Sequence, residues 1–214
     1  MIYNPPAFRE TDLPALQAQI QGTGFATLIT VGADGPIVSH LPMLLDPKAS
    51  AFGTLTGHVA RANPQWKDSD FGKPAIAMFM GPDAYVSPTW YPSKAEHGKV
   101  VPTWNYSAIY ARGMIETFDD ADELRTHVTA LSEHFERTMP KPWQVSDAPE
   151  DYLQRQFKGI VGLRLTIGTI EGKAKLSQNR ARPDLDSVAA ALSASERPDD
   201  RVIGRMMKQR SPTG

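Results

Sequence analysis

No cysteine occurs among the 214 residues, which excludes disulfides, thiolate metal centres and cysteine nucleophiles. No apolar run approaches the roughly 18 residues needed to cross a bilayer. The start, Met1-Ile2-Tyr3-Asn4-Pro5-Pro6, lacks the charged-then-apolar layout of a secretory signal. A cytoplasmic protein with no membrane association is the expectation. Excess charge is missing as well: 23 Lys and Arg against 24 Asp and Glu leave a net charge of -1, so there is no bulk attraction to nucleic acid or anionic lipid. The usual enzyme signatures are absent, with no Gly-x-Gly-x-x-Gly after a strand, no Walker loop and no Gly-x-Ser-x-Gly elbow. His127 and His134 lie on one amphipathic pattern without a His-Glu-x-x-His arrangement, so surface or half-buried positions are expected for them and no metal site.

What is present is ordinary globular composition, 41% hydrophobic and 22% charged, in a chain long enough for one large domain. Thr11 or Asp12 can cap a helix over Leu13 to Ile20, ended by Gly22. Strands follow at Phe25 to Val31, Ile37 to Leu45, Phe52 to Thr56, Ala75 to Met80 and Tyr85 to Ser87, with Gly32 to Gly35 as a hairpin turn. Pro88 to Pro102 reads as a loop. Thr103 to Met114 alternates, with Trp104, Tyr106, Ala108 and Tyr110 opposite Thr103, Asn105, Ser107 and Ile109.

Asp119 or Asp120 then caps a long helix whose Leu124, Val128, Leu131 and Phe135 form one stripe. A shorter helix spans Glu150 to Phe157, and a strand spans Ile160 to Ile170 with Val161, Leu163, Leu165 and Ile167 on one face. A polar segment, Lys173 to Arg182, leads to helical pieces at Leu185 to Leu192 and Val202 to Met207. Close-spaced strands before any long helix predict a β-rich α+β fold built on an antiparallel barrel. The chain is expected to form one domain, residues 1–208, with a C-terminal helical extension and a frayed tail at 209–214.

Three stretches concentrate polar and aromatic chemistry. Gly57-His-Val-Ala-Arg-Ala-Asn-Pro-Gln-Trp66 follows a strand, with Thr54, Thr56 and His58 on one face. Arg61 and Asn63 come after it in a turn or helix start, where free N–H groups favour an anion; a capped turn with a surface arginine reads equally well. Tyr85 to Tyr91 with Trp104 and Tyr106 can wall a planar ligand or pack a core. Glu171 to Arg180 holds cations and amides suited to phosphate, as do many post-strand loops. His40, beside Ser39 in a strand, suits core packing or ligand contact.

Taken together these stretches resemble the PaiB-type family of FMN-binding negative transcriptional regulators. The resemblance rests on Tyr3-Asn4-Pro5-Pro6-x-Phe8, His58 to Trp66, Tyr85-Val-Ser-Pro-Thr-Trp-Tyr91, Val101-Pro-Thr-Trp-Asn-Tyr106 and Gly172-Lys-Ala-Lys-Leu-Ser-Gln-Asn-Arg180, in that order over about Met1 to Met207. It implies an FMN-binding split β-barrel with peripheral helices, related to pyridoxamine phosphate oxidase, that works as a homodimer with FMN near the subunit interface. By position, Ser39, His40 and Leu41 would run beside the flavin, and Thr56, Gly57 and His58 would border its ribityl chain. Arg61 and Asn63 would hold the phosphate, while Trp104, Asn105, Lys175, Ser177 and Gln178 would close the site. After Arg180 the text is less familiar, so the C-terminal lobe is expected to differ.

Three functional readings follow. The first is a flavin-binding regulator with DNA as partner, although no helix-turn-helix is legible and the cations Arg197 to Arg210 read as a solvated helix face. The second is an FMN-dependent oxidoreductase, for which His58 and Tyr106 are the candidate proton donors. The third is a haem or flavin carrier without turnover.

Overall fold

The computed structural model describes residues 2–210. Its seven strands form one antiparallel sheet in the order β1-β7-β4-β3-β2-β5-β6, and a further β7–β6 pairing closes the last six into a barrel. The chain divides into two compact units; of the described residues, one holds 13–79 and 110–170, the other 2–12, 80–109 and 171–210.

After β1 (Arg9–Glu10), the larger unit opens with α1 (Leu13–Thr23), which buries Leu16 and Ile20. The helix runs through Gly22, where an end was expected. It stops one residue beyond Thr23 at Gly24, whose φ of +65° is the left-handed conformation that terminates helices. The hairpin β2 (Phe25–Gly32) to β3 (Gly35–Asp46) pairs in full register from Phe25↔Pro42 to Gly32↔Gly35. β4 (Thr54–Ala60) starts later and ends later than expected, so Gly57, His58 and Val59 are strand residues. The turn at Arg61 then leads into the single-turn helix α2 (Gln65–Asp68).

β5 (Ala75–Val86) is one strand where two were expected. Gly81-Pro82-Asp83 lies beyond the residues paired with β2, Ile76 to Met78, so proline removes no hydrogen bond of that ladder, and β6 is the strand's other neighbour. The expected loop Pro88 to Pro102 contains a 3-10 turn (Pro88–Trp90) and a short helix, α3 (Ser93–His97). β6 (Thr103–Phe118) is longer than expected, and β7 (Ile160–Lys175) runs past Ile170 into the polar segment. Between them lie α4 (Ala121–Glu136), capped by the Asp120 carboxylate accepting from Asp122 N and Glu123 N, and α5 (Glu150–Lys158).

The alternation read from the sequence survives in the barrel: Val161, Leu163, Leu165 and Ile167 are all buried, as are Ala26, Leu28, Leu41, Met43, Leu55, Ala77 and Phe79. A second cluster of Phe118, Leu124, Val145, Leu153 and Phe157 fixes α4 and α5 in the same unit. Phe118 fits because residue 162 is glycine; a Cβ there would meet the ring at 2.2 Å. Of the α4 stripe, Phe135 is 41% exposed.

The smaller unit has its own core. α6 (Arg182–Ser193) and α7 (Pro198–Arg210) pack Leu185, Val188, Leu192, Ile203 and Met207 against Val86, Tyr91, Ala174 and Leu176. Both helices exceed their expected lengths. Gln209 and Arg210, expected in a frayed tail, belong to α7, and the rest of that tail lies outside the described residues. Among the described residues no helix is long and apolar enough to cross a membrane.

Candidate functional site

In the larger unit one sheet face carries an open row. Cross-strand pairs Phe25↔Pro42, Thr27↔His40 and Ile29↔Val38 continue into β5 as Thr27↔Met78 and Ile29↔Ile76, and paired residues share a face. Phe25 is 57% and Val38 53% exposed. His40 is exposed too, stacked on Phe25 with ring centroids 6.4 Å apart and its Nδ1 3.1 Å from the Thr27 hydroxyl. The pair Leu44↔Thr56 brings Thr56, and two residues on His58, to the same face. A flat apolar strip edged by hydroxyl and imidazole groups suits one side of a planar ring system.

Not every residue expected beside the flavin faces this way. Strand alternation turns Ser39, Leu41 and Gly57 to the opposite face. Leu41 is 3% exposed, and a Cβ at Gly57 would lie 3.0 Å from its Cδ1. The glycine therefore admits Leu41 to the barrel core. Ser39 lies near the barrel end, where its hydroxyl accepts from Asn63 Nδ2 at 2.8 Å. The Asn63 Oδ1 in turn accepts from Gln65 N at 2.9 Å, and Gln65, 1% exposed, bonds Thr30 Oγ1 and the Ile37 carbonyl. The polar residues of this turn thus plug the barrel end. The sequence places Gln65 among the polar residues of this stretch, but no periodicity marks it as buried.

Arg61 sits at the head of that turn. Its Nε donates to the Lys158 carbonyl at 2.9 Å and Nη2 to the Ile160 carbonyl at 3.0 Å. A guanidinium has five N–H donors, so these two bonds lock its plane and leave three. Its Nη1 stands 3.6 Å from Asp119, an exposed carboxylate. Trp66 packs beneath the guanidinium at 5.7 Å and donates Nε1 to the Arg61 carbonyl. The arrangement is a pre-oriented cation whose free edge can take an anion that outcompetes Asp119.

His58 reaches from β4 to α4. Its Nδ1 is 3.1 Å from His127 Nε2, the rings meet edge to face at 5.3 Å, and Phe118 flanks His127 at 5.9 Å. His127 is 6% exposed, more buried than its sequence context implies, and its Nδ1 has no partner. Burial lowers its pKa to about 4, with repulsion from His58 adding to the effect; burial also lowers that of His58. Both rings are neutral at pH 7 and share one proton in their hydrogen bond. His58 Nε2 lies outside this contact.

The second expected group lies in the smaller unit and divides in two. Asn105 is fully buried, accepting from the Ser177 hydroxyl at 3.0 Å and donating to Met207 Sδ at 3.4 Å. Gln178 folds back to donate to the Ala174 carbonyl at 2.6 Å and accept from Leu176 N at 2.7 Å. These three hold the turn after β7. Trp104, by contrast, is 52% exposed and meets Tyr85 edge to face at 5.8 Å. Lys175 donates from Nζ to Thr103 Oγ1 and to the Trp104 carbonyl. Lys173, two residues earlier in β7 and one of the cations of the Glu171 to Arg180 stretch, is 8% exposed.

Among the described residues no group of three or more metal-ligating side chains occurs. The planar strip and the free edge of Arg61 fit a flavin mononucleotide. Once bound, FMN would supply hydride and single-electron chemistry to a protein that itself offers only imidazoles and cations here.

Comparisons with known proteins agree. The family model described as "Putative FMN-binding domain" matches residues 2–169. The chain is 31% identical over 209 residues to the Protease synthase and sporulation protein PAI 2 of Bacillus subtilis, covering 98% of each chain. It is 33% identical to an uncharacterised protein of Aspergillus fumigatus over 94% of each. Among solved structures, an FAD and haem binding protein from Mycobacterium smegmatis superposes with a TM-score of 0.56 at 15% identity, over 78% of this chain and 73% of that one. A model matching more than three quarters of the chain and a relative spanning its whole length place this protein in the FMN-binding split-barrel family that includes PAI 2.

Proposed function

We propose that the protein is a homodimeric FMN protein of the PaiB type. The isoalloxazine lies on the open face of β3, β2 and β5, with the phosphate at Arg61 and Asn63. The observation that carries this reading is the pairing of an exposed apolar strip with a locked guanidinium whose free edge meets only an exposed carboxylate. Thr56 and His58 then border the ribityl chain, and His40 and Thr27 are the polar groups within the ring's own strip.

Arg61→Ala is expected to weaken FMN binding by about 1.5–3 kcal/mol, the range for hydrogen bonds to charged groups. Asp119→Asn is expected to tighten it, because the carboxylate competes with the phosphate dianion. Fluorescence titration of FMN reads both. Unchanged affinity in the two variants would remove the phosphate from Arg61.

The same strip supports the homodimer. Phe25, Ile29, Val38, Ile76 and Met78 make a contiguous apolar surface of the kind that soluble chains cover. Sedimentation equilibrium is expected to give twice the chain mass, and Val38→Glu to give the monomer with weakened FMN binding. A wild-type monomer would contradict this.

The name of the B. subtilis relative ties that protein to protease synthesis and sporulation; a regulatory role for this chain is an analogy of family. Of its C-terminal cations, Arg197 pairs with Asp83, Asp199 and Asp200, Arg201 donates to the Ser195 and Glu196 carbonyls and Arg210 pairs with Glu10, while Arg205 and Lys208 are exposed. Sequence-selective DNA retention at physiological salt would support regulation. Retention that fades with salt and shows no site preference would contradict it.

A further inference from the structure

In the smaller unit three cations share a neighbourhood. Among the described residues Lys173, Lys175 and Arg180 form no ion pair, although Glu171 lies two residues from Lys173 along the same strand. Lys173 Nζ donates to the Tyr3 carbonyl at 2.9 Å and otherwise faces two rings, Tyr3 at 5.2 Å and Tyr106 at 5.4 Å. An ammonium has three donors, so two N–H groups of a nearly buried charge have no acceptor. Burying an ammonium that way is unfavourable unless something else completes it. Lys175 is held below its ordinary range by burial and by the charges of Lys173 and Arg180.

The turn beyond β7 is built to keep Arg180 close. Ser177 adopts a left-handed φ of 62°, the sole non-glycine residue to do so among those described, and such strain persists only where the surroundings impose it. The imposing contacts are the Ser177–Asn105 and Gln178 hydrogen bonds, and Arg180 N donates to the Ser177 carbonyl at 3.0 Å. Arg180 itself rests on the Tyr91 ring at 5.0 Å, and the Tyr91 hydroxyl is buried without a partner. Exposed Trp104 and Tyr85 stand on the Lys175 side of this group.

We propose that Lys173, Lys175 and Arg180 form an anion subsite, walled by Trp104 and Tyr106, that takes a small aromatic ligand bearing a phosphate or carboxylate. Three unpaired cations match a dianion, and the rings supply stacking for the aromatic body. FMN carries one phosphate. The proposal rests on the preceding reading insofar as that phosphate sits at Arg61, which leaves this subsite for a second ligand such as the flavin's redox partner.

The test is calorimetric titration of the full chain with phenyl phosphate, with and without saturating FMN, using phenol as the neutral control. Wild type is expected to bind phenyl phosphate and not phenol, in both flavin states. Lys175→Gln and Lys173→Gln are each expected to weaken that binding about tenfold or more, and Lys173→Gln to leave FMN affinity unchanged. Lys175→Gln, with the more exposed side chain, keeps the test open if Lys173→Gln misfolds. Absence of binding to wild type, equal binding by the variants, or exclusion of phenyl phosphate by FMN would each overturn the subsite. Wild type that binds phenyl phosphate but never FMN would keep the subsite and remove the flavin reading.

Discussion

Gly113→Ala is expected to destabilise the fold by about 3 kcal/mol or more, beyond the usual penalty for an added core methyl. The reason is backbone against backbone. A Cβ at residue 113 of β6 would stand 1.8 Å from the Thr166 carbonyl oxygen of β7 and 2.7 Å from its carbonyl carbon. No side-chain rotation can relieve that contact, because both partners are strand backbone at the seam where β6 meets β7 and the barrel closes. The strands would have to part, and the seam would lose its hydrogen bonds with its packing.

For a chain of this length such a loss corresponds to a fall in melting temperature of roughly 10 °C. Gly168→Ala is the control. It lies in the same strand, two residues beyond Thr166, but its nearest neighbour, the Arg112 carbonyl, would be 3.8 Å away. That variant is expected to melt within a degree or two of wild type, on the scale of ordinary surface changes. Equal melting temperatures for the two variants would mean that the seam is not closed as described.

Acid is expected to loosen the same unit through His127. The unfolded imidazole takes up its proton near its ordinary pKa of 6.5, whereas in the folded chain burial and His58 hold it off until about 4. Between those values the unfolded state binds the extra proton, so stability present above pH 6.5 is lost as the pH falls to about 4. A difference of that size is worth about 3 kcal/mol at full extent. His58 contributes with the same sign, since its pKa is lowered too.

What fails is the docking of α4 on β4. Protonating both rings puts two cations into a contact that now shares one hydrogen bond, beside Phe118, with Arg164 already stacked on that ring at 5.0 Å. Arg164 is held by Glu116 and Glu123, and Arg61 stands near Asp119, so those carboxylates are engaged elsewhere. Urea unfolding of wild type and His127→Asn at several pH values isolates the effect. The difference in stability is expected to shrink as pH falls from neutral towards 4. Parallel pH profiles would show that His127 is not held neutral by the fold.

Much of this architecture was legible from the residues. Alternation grouped the buried Val161, Leu163, Leu165 and Ile167 of β7 and separated the two faces of β6 without saying which lies inward, and the α4 stripe marked the buried side at Leu124 and Leu131 but not at Phe135. Punctuation was less reliable. Gly81-Pro82-Asp83 lies within one strand, beyond the β2 pairing and with β6 as the other neighbour, and Gly22 stays helical because Gly24 supplies the left-handed residue.

The candidate site was legible as a set of segments but not as geometry. Ser39, His40 and Leu41 are consecutive, yet only His40 can face the open side of β3. The pairing of His58 with His127 joins residues 69 apart in sequence, and no spacing rule links them. Lys173 was legible only as one cation of the Glu171 to Arg180 stretch, suited to phosphate as many post-strand loops are. Its importance emerges only from what surrounds it, two aromatic rings and no carboxylate.

FMN binding is the claim on which the rest depends, and titration of the purified, flavin-free chain with FMN tests it most directly. Quenched flavin fluorescence and a perturbed visible spectrum, saturating at one FMN per chain, are the expected result. A flavin spectrum and emission identical to free FMN at every protein concentration would contradict it.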